Sequence, residues 1–107
     1  MQEFPSEKSK MPSSEVYANE MRSWIADAAQ RRHGPRKRVL AEIAREVGLN
    51  VRRVAAHFYG EIRSPNAAEY EQAKRWRRYE MMRQLEHHDR EMAALRVRLQ
   101  EMSNDGP

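Results

Sequence analysis

The chain has 107 residues but only two Phe, two Trp and four Tyr to fill a core, so we expect one modest domain that gains part of its stability from self-association. It has no cysteine and no run of eighteen apolar residues, which excludes disulfides, Cys-based zinc sites and a membrane span. The N-terminal segment 1–10 is polar, without the apolar stretch of a signal peptide, and a cytoplasmic location is predicted. The net charge of +4 is uneven: residues 31–83 carry fourteen basic and six acidic groups, against three basic and five acidic groups in each flanking segment. The basic middle predicts a polyanionic partner.

The N-terminal third predicts a tail followed by one amphipathic helix. Residues 1–12 contain two prolines and no hydrophobic periodicity, which is typical of a disordered tail. Ser13 or Ser14 can cap a helix over about 14–31, which Gly34 would terminate. Its apolar residues recur every three or four positions: Tyr17, Met21, Trp24, Ile25 and Ala28.

Two shorter helices are predicted next, and with the first they make a domain over residues 13–63. Pro35 suits the first position of a helix that Gly48 ends. Asn50 can cap a third helix that runs to about Tyr59, before Gly60. The apolar stripe of the second helix is Val39, Leu40, Ile43, Ala44 and Val47, and the third helix runs through Val51, Val54, Ala55 and Phe58.

A long helix is predicted for residues 64–103, with a disordered end at 104–107. It would start at Ser64-Pro65 or, alternatively, at an Asn66/Glu69 capping box, and run from about 65 to 102. Its second half carries a heptad pattern from position 81, with spacings of four and three that favour a coiled coil. The resulting seam consists of Met81, Leu85, His88, Met92, Leu95, Leu99 and Met102.

In this register Glu91 and Arg96 attract each other across a parallel dimer. Folding of the helix back onto its own domain is the alternative. Antiparallel pairing and higher oligomers stay open, because methionine specifies geometry poorly.

The segment Ala44–Val54 has the pattern Ala-x-x-x-Gly-Leu-x-x-x-x-Val. Ala44 is small enough for a close helix crossing, Gly48 permits a positive φ in the turn, and Leu49 and Val54 supply apolar contacts. Over about twenty residues the chain thereby resembles the helix-turn-helix family of prokaryotic and phage DNA-binding proteins. It departs from the common pattern at His57, where a bulky apolar residue is usual.

The resemblance implies an all-α fold, with a helix-turn-helix three-helix core followed by the long helix, and a third helix that enters the major groove. Arg52 and Arg53 are the candidates for reading guanine edges. Asn50 could cap the helix or contact DNA. Arg36, Lys37 and Arg38, at the start of the preceding helix, would bind phosphates and so position the protein on the duplex. The full candidate interface is Arg36, Lys37, Arg38, Asn50, Val51, Arg52, Arg53, Ala56 and Tyr59.

Other polar groups give weaker signals. Ala73, Trp76 and Tyr79 share a helical spacing that predicts core packing. The basic side chains interleaved with them could touch DNA or form a solvated face: Lys74, Arg75, Arg77 and Arg78. No histidine pair has metal-ligand spacing, and no catalytic triad or phosphate loop is present. We therefore expect no enzyme activity, no cofactor and no metal.

The resemblance implies a homodimeric transcriptional regulator that binds double-stranded DNA, is associated with the nucleoid and has RNA polymerase as a further candidate partner. Phage terminase small subunits and insertion-sequence accessory proteins also join such a motif to an oligomerising helix. An assembly protein of that type is the alternative. Oligomeric state would separate them, because a ring of many copies favours the terminase type.

Overall fold

The computed structural model describes residues 14–104, which form four α-helices and no strand. The all-α prediction is confirmed. The predictions for residues 1–12, the Ser13 cap and the last three positions lie outside the described residues. The helices are α1 (Ser14–Gln30), α2 (Arg36–Val47), α3 (Val51–Phe58) and α4 (Ala67–Asn104). The chain divides into two compact units, the first reaching to Trp76 and the second beginning at Arg77.

The core of the first unit lies where α1, α2 and α3 meet, and the first turns of α4 close it. On α1 the buried positions follow the predicted helical spacing, and Met21 and Ala28 have no exposed surface. On α4, Ala73 and Trp76 are buried as predicted. Burial of each large apolar side chain contributes about 1.5–3 kcal/mol. The buried core residues are Met21, Ile25, Ala28, Val39, Leu40, Ile43, Ala44, Val47, Val54, Ala73 and Trp76.

The connection between α2 and α3 is a short turn centred on Gly48. Its φ is +91°, and its N–H donates to the Ala44 carbonyl at 2.9 Å. The N–H of Leu49 donates to the same carbonyl at 3.1 Å. A side chain at Gly48 would be strained, because L-residues rarely adopt this φ. The positive φ predicted for this glycine is therefore confirmed.

The start of α4 is the capping box Asn66/Glu69. The Asn66 side chain accepts from the Glu69 N–H at 2.8 Å, and the Glu69 carboxylate accepts from the Asn66 N–H at 3.0 Å. The helix begins at Ala67, so the start at Ser64-Pro65 was wrong and the alternative start is correct. The reciprocal cap satisfies two N–H groups that a proline start would leave to water.

Glu46 on α2 ties two other segments of the first unit to that helix. Its carboxylate accepts two hydrogen bonds from Arg32, at 2.9 and 3.0 Å, in the connection that follows α1. It also accepts from the Trp76 indole N–H at 3.2 Å. The α1–α2 connection and the first turns of α4 are thus anchored to the same side of α2.

In the second unit, residues 77–104 form a single helical stretch. Tyr79 was predicted to pack on the core, and this was wrong. Its side chain is 61% exposed, with the Arg83 guanidinium 5.7 Å from the ring centroid. Within residues 14–104 no helix combines the length and apolar character needed to cross a bilayer.

Candidate nucleic-acid interface

Helix α3 is short and has distinct inner and outer faces. Val54 and His57 point inward and are buried. Val51 and Tyr59 are 44% and 54% exposed, Arg52 is exposed, and Ala56 is half-buried. Four of the nine candidate contact residues therefore share the outer side of α3 and the residue that follows it.

Asn50 is the N-cap of α3. Its side-chain oxygen accepts from the Arg53 N–H at 2.8 Å, and its backbone is extended, with φ −79° and ψ 159°. Of its two predicted roles, the structure confirms the cap. Such a cap stabilises a helix by about 1 kcal/mol.

The guanidinium of Arg53 faces Glu69 of α4. Its Nε donates to one carboxylate oxygen at 2.8 Å and Nη2 to the other at 2.5 Å. This fork arrangement uses both carboxylate oxygens and is among the stronger ion-pair geometries. The Glu69 side chain is only 4% exposed, whereas that of Arg53 is 37% exposed. Arg53 thus joins α3 to the start of α4, a contact that its expected role in base reading did not include.

His57 lies against the same carboxylate. Its Nε2 is 3.4 Å from Glu69 Oε2, and its side chain is fully buried. A neutral ring would carry its proton on Nε2 to donate to the carboxylate. Nδ1 is then a buried acceptor, and it has no hydrogen-bond partner. His57 thus occupies an inner position of α3.

Burial and mutual contacts shift the pKa values of Arg53, His57 and Glu69. The hydrogen bonds from Arg53 are the main reason why the pKa of Glu69 is lowered from 4.5 to about 2. Burial is the main reason why the pKa of His57 is lowered, since it disfavours the charged ring. Hydrogen bonding to Glu69 raises the pKa of Arg53. At neutral pH the cluster therefore holds an ionised Glu69, a charged Arg53 and a neutral His57.

The sequence predicts a role for Glu69 only in the capping box at the start of the long helix. The missed signal was its spacing, because Glu69, Ala73 and Trp76 lie at i, i+4 and i+7 on one face of α4. A carboxylate on a buried face needs a cationic partner. Arg53 and His57, four residues apart on α3, supply a cation and a hydrogen-bond donor.

The start of α2 presents three cations. Arg36, Lys37 and Arg38 are exposed, and none makes an ion pair with another side chain among residues 14–104. The Arg36 guanidinium lies 5.1 Å from the centroid of the Phe58 ring, in the last turn of α3. The cap residue Pro35 contributes no side-chain hydrogen bond, and the first turn of α2 has no acidic residue. The positive end of the α2 dipole is therefore not neutralised by its own first turn.

The basic cluster that follows is only partly at the surface. Lys74 and Arg75 are exposed in the first unit, and Arg78 is exposed in the second. Arg77 is half-buried and engaged with a neighbour. Among the described residues, no group of His, Asp and Glu side chains could hold a metal ion.

The heptad seam in the second unit is a surface feature of the single chain. Its apolar members, from Met81 to Met102, are 52–66% exposed. The His88 side chain is 67% exposed and its Nδ1 lies 3.6 Å from Glu91 Oε1. Every residue of the predicted seam is thus available to a partner.

Comparison with known proteins found no matching family model, no matching curated protein and no matching solved structure.

Proposed function

We propose that this protein binds double-stranded DNA as a homodimer and regulates transcription, with α3 in the major groove. The observation that carries the proposal is the pairing of α2 and α3 across the Gly48 turn. The outer face of α3 is exposed there, beside cations that have no ion-pair partner among residues 14–104. A helix with this length and a free outer side fits the roughly 12 Å wide major groove of B-DNA.

Arg52 is the residue that we assign to base reading. It is exposed on the first turn of α3 and makes no hydrogen bond or ion pair with another side chain in the described part of the chain. Arg53, its neighbour, is held by Glu69. A guanidinium can bond guanine O6 and N7 together, which discriminates against a wrong base by about 1–3 kcal/mol.

Phosphate binding is assigned to the start of α2. Within residues 14–104, Arg36, Lys37 and Arg38 have no acidic partner. They lie at a helix N-terminus, where backbone N–H groups and the dipole attract anions. These contacts would orient the protein without reading sequence.

The partner that we assign to the seam is a second copy of this chain. Its apolar side chains are more than half exposed along three heptads, and an apolar stripe of this kind is stable in water only when it is covered. Glu91 of one helix and Arg96 of the other add an interhelical attraction in a parallel pair. Two copies would present two α3 helices to a two-part DNA site.

The test is a fluorescence-anisotropy titration of the full-length protein with duplex DNA selected from a random pool. Affinity should fall steeply between about 50 and 200 mM salt, because bound phosphates release counterions. Arg52→Ala should lower the preference for the selected sequence, whereas Lys37→Ala should weaken selected and unrelated duplexes equally. If Arg52→Ala changes neither affinity nor preference, α3 does not read the groove as proposed.

A further inference from the structure

Arg22 on α1 lies against the end of α3. If Gly60 carried a Cβ atom, that atom would be 2.9 Å from Cζ and from Nη1 of Arg22. Gly60 has φ +75° and directly follows Tyr59, the last outer residue of the candidate interface. The guanidinium therefore lies on the backbone of the turn that ends α3, in space that the absence of a side chain leaves open.

No side chain in the described part of the protein pairs with this guanidinium. Arg22 is exposed and makes no ion pair or hydrogen bond with another side chain there. Glu61, the next residue after Gly60, is also exposed and forms no ion pair with it. An exposed cation resting on backbone rather than on a carboxylate keeps its charge available for an anion from outside.

Arg36 brings a second guanidinium to the same end of α3. Its guanidinium lies over Phe58, two residues before Gly60. Phe58 and Arg36 line a crevice of about 390 Å³ together with Ala26 and Ala29 of α1. Arg22 precedes Ala26 by four residues and Ala29 by seven, so the three share one face of α1. Two cations from two helices thus flank the end of α3.

We propose that Arg22 is a phosphate-binding residue that extends the DNA interface onto α1. Arg22 and Arg36 would contact phosphates of the DNA near the end of α3. This inference rests on the proposed function. It adds a residue outside the helix-turn-helix segment, and it assigns to the end of α3 a phosphate contact that complements base reading by Arg52 at its start.

The experiment compares salt dependence. The dissociation constant of the full-length protein for one selected duplex is measured between about 50 and 200 mM salt, for the unmodified chain and three variants. Each phosphate contact contributes about 0.9 to the slope of log K against log salt. Because each copy in the proposed dimer supplies one Arg22, Arg22→Gln removes two phosphate contacts per complex. It should therefore reduce the slope by about 1.8 and weaken binding about 25- to 100-fold near 0.1 M salt. Arg22→Lys keeps a cation at the site and should retain most of the slope.

The matched control is Arg31→Gln. Arg31 directly follows the last residue of α1, and its guanidinium is paired with Asp27 at 3.1 Å. The substitution Arg31→Gln removes the same charge from the chain as Arg22→Gln and should leave the slope unchanged. Thermal unfolding of each variant checks that Arg22→Gln still folds.

The outcomes are distinguishable. If the unmodified chain binds duplex with a steep slope but Arg22→Gln has that same slope, the Arg22 inference is wrong while the proposed function stands. Equal loss of slope in the Arg22 and Arg31 variants would also overturn it, because only net charge would then matter. If the unmodified chain does not bind duplex DNA, the proposed function fails and the inference with it.

Discussion

Glu69→Gln is the sharpest test of the cluster that joins α3 to α4. Glutamine can still accept the Asn66 N–H that Glu69 accepts at 3.0 Å, since a capping box tolerates either residue. The Asn66 side chain can still accept the N–H of position 69, at 2.8 Å. What the substitution removes is the negative charge and one acceptor oxygen, because the amide NH2 that replaces Oε2 would face the N–H groups of Arg53 and His57.

The expected cost follows from the pKa of Glu69. Its lowering from 4.5 to about 2 corresponds to at most about 3–4 kcal/mol, at about 1.4 kcal/mol per pKa unit. Because Arg53 is 37% exposed, its guanidinium can return to water in the variant. We therefore expect a loss of about 2 kcal/mol at neutral pH, within the range for charged hydrogen bonds. This lowers Tm by about 8–16 °C in a domain of this size.

The effect depends on pH in a definite direction. A carboxyl group whose pKa is lowered by folding stabilises the folded state fully above its ordinary pKa of 4.5 and loses that contribution as pH falls toward about 2. Glutamine does not titrate. The difference in unfolding free energy between the unmodified chain and the variant should therefore be largest at pH 7 and shrink below about pH 4.5.

The assay is urea unfolding followed by the emission of Trp24 and Trp76, which both pack in the core of the first unit, at several values of pH from about 7 down to about 3. Glu71→Gln removes an exposed carboxylate two residues further along α4 and is the matched control. If Glu69→Gln is as stable as this control at pH 7, or if its deficit is the same in acid, then the ion pair with Arg53 does not hold α3 to α4.

Three further predictions concern other parts of the molecule. The unmodified chain should lose stability as pH falls below about 6.5, because burial lowers the pKa of His57 and protonation then favours unfolding. In His57→Leu this pH-dependent loss should be smaller. Urea unfolding at pH 7.5 and pH 5.5 measures the loss, and an equal loss in both proteins contradicts the prediction. Leu95→Asp should convert the proposed dimer to monomer in sedimentation equilibrium. Val97→Asp should leave the dimer intact, because Val97 lies away from the seam although it is 56% exposed against 54% for Leu95. Equal behaviour of the two variants would show that the dimer interface is not this seam. Gly48→Ala should cost about 1–2 kcal/mol, because φ is +91° and the new Cβ would be 3.1 Å from Gln72 Nε2; an unaltered urea midpoint would refute the strain.

The helices of the first unit could be predicted closely because their ends carry local signals. Gly48 and Asn50 end α2 and start α3 through interactions within a few residues, and such interactions are readable from sequence. The α2 stripe from Val39 to Val47 was predicted as an apolar face, and all five of its members are buried. Periodicity of this kind is the strongest sequence signal for a buried helix face.

What could not be predicted depends on which side chains meet across elements. Arg52 and Arg53 are neighbours in sequence, but about 100° of helical rotation separates them, and only Arg53 faces Glu69. Tyr79 continues the spacing of Ala73 and Trp76, yet it lies beyond the last residue of the first unit. Hydrophobic periodicity shows which face of a helix is apolar. It does not show at which residue the helix passes the edge of the domain that it packs against.

The shortness of α3 has a consequence for hydrogen exchange. It has only eight residues, and isolated helices shorter than about 12–15 residues are marginal in water. Its hydrogen bonds therefore persist because Val54 and His57 are buried and Arg53 is held by α4. The amide protons of α3 should exchange only when the first unit opens as a whole, so their protection factors measure the cooperativity of that unit rather than fraying of a single helix.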